Sequence, residues 1–186
     1  LDASKVQYVS RAGNYLSKGY SYTGALRILK VILSYDYLWI KIRLQGGAYG
    51  TMCGFVRNGN SYFVSYRDPN LSETNEVYKN LPEYIEGFDA DVHEMTKYII
   101  GTMSILDAPM TPRIKGRVSY TRYISGISYE DMQKERDEIL SSDALGIRKL
   151  SEYIKTILSD ECICVVGGAD KIEQCSDMFI DIEDLI

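Results

Sequence analysis

Arg43-Leu44-Gln45-Gly46-Gly47-Ala48-Tyr49-Gly50 joins an apolar, helix-like run from Ala25 to Ile42 to a strand-like run from Thr51 to Val56. Three glycines within five residues make this a tight helix-to-strand corner, because glycine turns backbone through positive φ and lets another group approach closely. Arg43 offers a forked guanidinium and Tyr49 a phenol donor on either side of the bend, so one acceptor-rich ligand could meet both. The residues alone admit a second reading, in which the glycines only punctuate the chain and both side chains are solvated.

On the N-terminal side of the corner, Lys5 to Val9 alternates polar and apolar residues and predicts a first strand that ends at Gly13-Asn14. Tyr15 to Tyr22 reads as a loop. Thr23 is placed to cap a buried helix carrying Ala25, Leu26, Ile28, Leu29, Val31, Ile32 and Leu33, and Asp36 to cap a second helical piece from Tyr37 to Leu44. On the C-terminal side, Arg57-Asn58-Gly59-Asn60 between two alternating runs is a hairpin signal, pairing Thr51 to Val56 with Ser61 to Ser65. Asp68-Pro69 reads as an N-cap followed by a first-turn proline, opening a helix through Asn80, with the Arg67 and Asp68 pair tying strand end to helix start.

Further on, Asp89 or Asp91 opens a helix to Leu106 in which Gly101 suggests a close backbone contact. Thr111-Pro112 starts another to Ile124, and the Ser128-Tyr129-Glu130-Asp131 capping box starts a third to Leu140. Asp143 begins an amphipathic helix to Leu158, followed by a strand from Cys162 to Val166, a short helix from Ala169 to Gln174, and a terminal strand from Met178 to Ile182. A hairpin followed by several helices before the sheet resumes is the order of an α+β protein with a mostly antiparallel sheet.

Ile42-Arg43-x-Gln45-Gly46-Gly47-Ala48-Tyr49-Gly50, followed by Ser65-Tyr66-Arg67-Asp68-Pro69-Asn70 and by Tyr98-Ile99-Ile100-Gly101-Thr102, resembles the insulinase (pitrilysin) type of zinc metallopeptidase, and within it the C-terminal part of the presequence-protease branch. The likeness runs in order from Tyr22 to Gln133-Lys134-Glu135-Arg136. It implies the insulinase-type, LuxS-MPP-like metallohydrolase fold, with helices packed mainly on one face of the sheet. It also implies a long polypeptide whose two halves close into a chamber, the N-terminal half holding zinc and the C-terminal half gripping the peptide. On that resemblance Arg43 and Tyr49 contact the substrate backbone near the scissile bond, Tyr49 counts as catalytic, and Gly46 and Gly47 only shape the loop.

With 186 residues, 45% of them hydrophobic, the chain suffices for one core, and residues 1–186 read as a single domain. It starts at Leu1 without a methionine or signal-peptide layout, which reads as a fragment excised from a longer polypeptide. A net charge of -5 argues against a nucleic-acid surface, and the lack of a long apolar run against a membrane span. Cys53, Cys162, Cys164 and Cys175 lack metal-type spacing and read as reduced, buried thiols, which favours the cytoplasm, with an organelle matrix as the alternative for this branch.

A single histidine cannot supply His-x-x-Glu-His, in which two imidazoles one helical turn apart hold zinc. His93-Glu94-Met95-Thr96-Lys97 approaches the reversed pattern, but Lys97 stands where the second imidazole belongs, so His93 reads as a surface residue and no metal ligand is assigned. Val166-Gly167-Gly168-Ala169-Asp170-Lys171 matches neither phosphate-loop pattern. The expectation is therefore a non-zinc-binding domain of a peptide-degrading metalloendopeptidase, inactive alone and partnered by the N-terminal half of its own polypeptide. The alternative is a non-catalytic insulinase-like domain that binds peptide or another subunit.

Overall fold

The computed structural model describes residues 6–184. Four antiparallel strands form one sheet in the order β2-β3-β1-β4, where β1 is Gln7–Asn14, β2 Gly50–Phe55, β3 Asn60–Asp68 and β4 Cys162–Val166. Ser10 of β1 lies opposite Val64 of β3 on one side and Cys164 of β4 on the other, and Val64 in turn faces Met52 of β2. Alternation does the rest: Val9, Cys53 and Phe63 point into the core, while Tyr8, Met52, Tyr62, Cys164 and Val166 lie on the opposite, open face.

Helices cover the inward face. α1, Ala25–Ile32, buries Leu26, Ile28, Leu29 and Ile32, and the helix continues without a break into π-wound turns at Leu33–Tyr37 and Trp39–Gln45. The buried residues there are Leu33, Tyr37, Leu38 and Ile42. Their spacing of four and five suits the wider π turn, whose bonds close over five residues, as from the Leu38 N–H to the Leu33 carbonyl. Next come α2, Ser72–Lys79, and α3, Leu81–Glu86. Then follow α4, Val92–Leu106, α5, Pro112–Ile124, and α6, Tyr129–Leu140. The last helices are α7, Ala144–Lys149, α8, Ser151–Leu158, and α9, Ala169–Gln174. Capping boxes start α4 at Asp91 with Glu94 and α6 at Ser128 with Asp131.

The α+β expectation and the hairpin at Asn58-Gly59 agree with the structure, Gly59 sitting at φ +88°. Several boundaries differ, each for a tertiary reason. Lys5 lies outside the described residues, and β1 starts at Gln7 and runs through to Asn14. Asp36 caps nothing: its carboxylate accepts from the Tyr98 hydroxyl on α4, 62 residues on. Thr23 does not terminate α1 by itself; its hydroxyl and the Gly24 N–H both donate to Glu138 of α6.

The helix after Pro69 begins only at Ser72, because buried Asp68 spends its carboxylate on the Asn70 N–H and the Thr74 hydroxyl. The predicted helix from Asp143 to Leu158 is two helices meeting at Leu150. No strand forms from Met178 to Ile182; a short 3-10 turn at Ser176–Met178 leads into irregular chain, and Met178 and Phe179 pack partly against the core. Gly101 has open space where a side chain would sit, so it marks no close contact. Among the four cysteines only Cys53 is buried; Cys162 and Cys164 are exposed on β4 and Cys175 is half-buried.

Candidate functional site

The corner is built from the end of the π-wound segment, the loop after it, and the end of β3. Its closing bonds run from the Gly46 N–H to the Lys41 carbonyl, 3.0 Å, from Gly47 to Arg43, 3.0 Å, and from Ala48 to Ile42, 3.1 Å. The Asn70 side-chain amide donates to the Gly46 carbonyl at 2.6 Å, locking the loop to the segment that follows β3. The two glycines serve different ends. A Cβ on Gly46 would lie 2.6 Å from the Ile42 carbonyl oxygen, so that position needs the missing side chain for space. Gly47 sits at φ +79° with its nearest neighbour, Pro69, 3.6 Å from an added Cβ, so that position needs glycine for conformation.

Arg43 leaves the last π turn half-buried, and its guanidinium carbon lies 3.9 Å over the centre of the Trp39 ring. Among the described residues its side chain makes no hydrogen bond or ion pair. By contrast, Arg11, Arg27, Arg57, Arg136 and Arg148 each bond an amide oxygen, a carboxylate or both. A guanidinium stacked by its face keeps its edge donors free for an acceptor. Across the bend, Tyr49 keeps 66% of its surface exposed and meets Tyr66 edge to face at 5.5 Å, and Tyr66 meets Tyr8 in the same way at 5.2 Å. Neither side chain named from the sequence is sealed in apolar packing.

Three neighbours have no part in the site as read from the sequence, although Tyr66 and Arg67 lie within the Ser65 to Asn70 stretch that carries the resemblance. Trp39 stands four residues before Arg43, a helical spacing that could have flagged it. Tyr66 carries no local signal beyond its place in the strand. Arg67 is a non-glycine residue at φ +49°, a sparsely populated conformation, and its carbonyl together with that of Tyr66 receives the Tyr49 N–H at 3.3 and 3.1 Å.

His93 lies exposed in the first turn of α4, as expected of a surface residue. Among the described residues no three His, Cys, Asp or Glu side chains come together in a group that could hold a metal. No helix among them is long and apolar enough to cross a membrane.

Comparison with known proteins agrees with this architecture. A family model describing the PreP C-terminal domain matches residues 3–168. Protein HypA of Clostridium perfringens is 46% identical over 186 residues, 100% of this chain and 19% of its own length. Presequence protease 1 of Arabidopsis thaliana, chloroplastic/mitochondrial, is 33% identical over 171 residues, 91% of this chain and 16% of its own. This chain therefore spans a fifth or less of either relative. Among solved structures, a protein of Bordetella pertussis Tohama I assigned as a zinc protease superposes with a TM-score of 0.66 at 11% identity, covering 91% of this chain and 97% of the other. The Escherichia coli periplasmic protease PqqL gives 0.54 at 18% identity, covering 85% and 18%. The chain belongs to the PreP C-terminal domain family and has the fold of the insulinase-type zinc proteases.

Proposed function

We propose that this single domain is the substrate-gripping C-terminal part of a zinc metalloendopeptidase that degrades peptides in a closed chamber, with the N-terminal half of the same polypeptide as its partner. In this reading the metal is held by that other half, and this chain alone is inactive. A cytoplasmic or organelle-matrix enzyme is the setting, the second suggested by the chloroplastic/mitochondrial relative.

The observation that carries the reading is the state of Arg43: a cation stacked on an indole, with its edge donors uncommitted among the described residues, at a corner fixed by four hydrogen bonds. Such a fork suits a peptide carbonyl, and the Tyr49 hydroxyl across the bend suits the same chain. Donors that bind an oxygen more tightly as it gains charge accelerate the chemical step rather than merely retaining the substrate. Exposed α5 fits the partner, since none of its residues is buried and Tyr120, Tyr123 and Ile124 stand in the open.

The test is kinetic. In the full-length polypeptide, Arg43→Ala and Tyr49→Phe each lower kcat/KM for an unstructured peptide by roughly 10-fold or more. Wild-type rates in both variants would remove the assigned roles. The second reading, a non-catalytic insulinase-like domain that binds peptide or another subunit, draws on a Bordetella parapertussis neighbour described as an inactive peptidase domain, TM-score 0.62 at 11% identity. A parent open reading frame without a zinc signature upstream would favour it.

A further inference from the structure

We infer that Trp39 is the positioning residue of the grip: it fixes the plane of the Arg43 guanidinium and so decides where its edge donors point. The inference rests on the function proposed above and extends it to a residue that makes the arginine effective without itself bonding the substrate.

Several observations lead to Trp39. An arginine side chain has four flexible torsions, and freezing it on a ligand carries an entropic cost of up to about 2 kcal/mol unless something orders it beforehand. Arg43 has no carboxylate to order it among the described residues; the indole at 3.9 Å is the partner it has. That arrangement differs from an ion pair in its consequence. A carboxylate would occupy the edge N–H groups, whereas a ring occupies the face and leaves the edge vacant for a carbonyl or carboxylate.

The backbone that carries Trp39 is held in place. Leu38 just before it and Ile42 three residues on are buried in the core at 0% and 1% exposure, and the π-wound stretch Trp39–Gln45 closes through the Lys41 and Arg43 carbonyls onto the glycines. Trp39 keeps 38% of its surface in water, as a platform at the edge of a site should. Phenylalanine presents a smaller ring at the same place, and alanine presents none.

The experiment is a double-mutant cycle in the full-length polypeptide with an unstructured peptide substrate. Trp39→Ala lowers kcat/KM by roughly 3- to 10-fold, Trp39→Phe recovers most of it, and Trp39→Ala adds no loss once Arg43 is already alanine. Equal losses in both backgrounds would show Trp39 acting independently of Arg43 and would overturn the inference. So would a wild-type rate for Trp39→Ala when Arg43→Ala is impaired, which leaves the proposed function standing. An unimpaired Arg43→Ala overturns this inference, and the proposed function falls with it only if Tyr49→Phe is unimpaired as well.

A second measurement needs no turnover. Trp39 is the chain's single tryptophan, so its emission reads the stack directly. Arg43→Ala shifts the emission maximum or intensity of this chain, while the remote Arg148→Ala leaves it as in the wild type. An emission unchanged by Arg43→Ala overturns the stack.

Discussion

The Tyr49 backbone N–H donates to the Tyr66 carbonyl over 3.1 Å, and the two rings meet edge to face with centroids 5.5 Å apart. Backbone and side chain of Tyr49 are thus both referred to the end of β3, where Arg67 holds a left-handed turn at φ +49°. Removing the Tyr66 ring leaves the backbone bond but frees the phenol to swing. An aromatic pair of this kind is worth about 0.5–1.5 kcal/mol, so Tyr66→Ala in the full-length polypeptide should lower kcat/KM by roughly 2- to 10-fold. Tyr66→Phe keeps the ring and should retain the wild-type rate, a contrast that steady-state kinetics with one peptide resolves.

The corner glycines give a contrast in stability. Gly47→Ala places a Cβ at φ +79° without a collision, so about 1 kcal/mol of conformational strain is expected, and Gly47→Asn should cost less because asparagine tolerates that region. Gly46→Ala drives a Cβ to 2.6 Å from the Ile42 carbonyl oxygen, which only a backbone shift relieves, at a cost of about 1–3 kcal/mol. Urea unfolding of the three variants should rank them Gly47→Asn, Gly47→Ala, Gly46→Ala in order of increasing damage; a Gly46→Ala as stable as wild type would contradict the crowding.

Thiol reactivity separates the four cysteines. Burial pushes the Cys53 thiol up to about 11, against the opposing hydrogen bond with Ser34 and the charge of Lys30, so little thiolate exists there at pH 8. Cys162 and Cys164 stand exposed on the open face of β4. Maleimide at pH 8 should label these two first, with Cys53 protected until the chain is unfolded, as peptide mass spectrometry would show. Early labelling of Cys53 would contradict its place in the core.

What the sequence disclosed and what it hid divide along physical lines. The glycine corner, the Asn58-Gly59 hairpin and the caps at Asp91, Thr111 and Ser128 were legible because each is a local rule read within a few residues. Asp36 and Asp68 misled because an aspartate before an apolar run looks the same whether it caps the helix or serves a distant partner; here one answers Tyr98 and the other Asn70 and Thr74. The π winding was hidden because apolar spacings of four and five also fit an α-helical stripe. Cys162 and Cys164 alternate correctly on β4, yet the side of the sheet that helices cover is a tertiary fact. At the candidate corner, Arg43 and Tyr49 drew notice through their donor chemistry and the resemblance, while Trp39 and Tyr66, against which they pack, are aromatic residues among many and stand out only from the rings' positions.

The strongest pH dependence of stability should come from Glu135. This carboxylate on α6 is 7% exposed and receives the Arg27 guanidinium and the Tyr22 hydroxyl on one oxygen and Arg57 on the other at 2.6 Å. Burial alone would raise its pKa, but donation from Arg27, Tyr22 and Arg57 together with the charge of Arg27 outweighs that and holds it below the ordinary glutamate value. A carboxylate whose folded pKa is lowered stabilises the fold above its unfolded pKa and loses that contribution as the pH falls through the folded value. At pH 7, Glu135→Gln should therefore cost about 2–3 kcal/mol, less than breaking a fully buried pair, because the arginines left behind can still reach water. Arg27 keeps 42% of its side-chain surface exposed and Arg57 28%. Urea midpoints of wild type and variant should converge as the pH drops from 5 toward 3, because the wild type alone loses the charge. A gap unchanged at pH 3 would show that hydrogen-bond geometry, not the ionised carboxylate, ties α6 to α1 and to the β2-β3 hairpin.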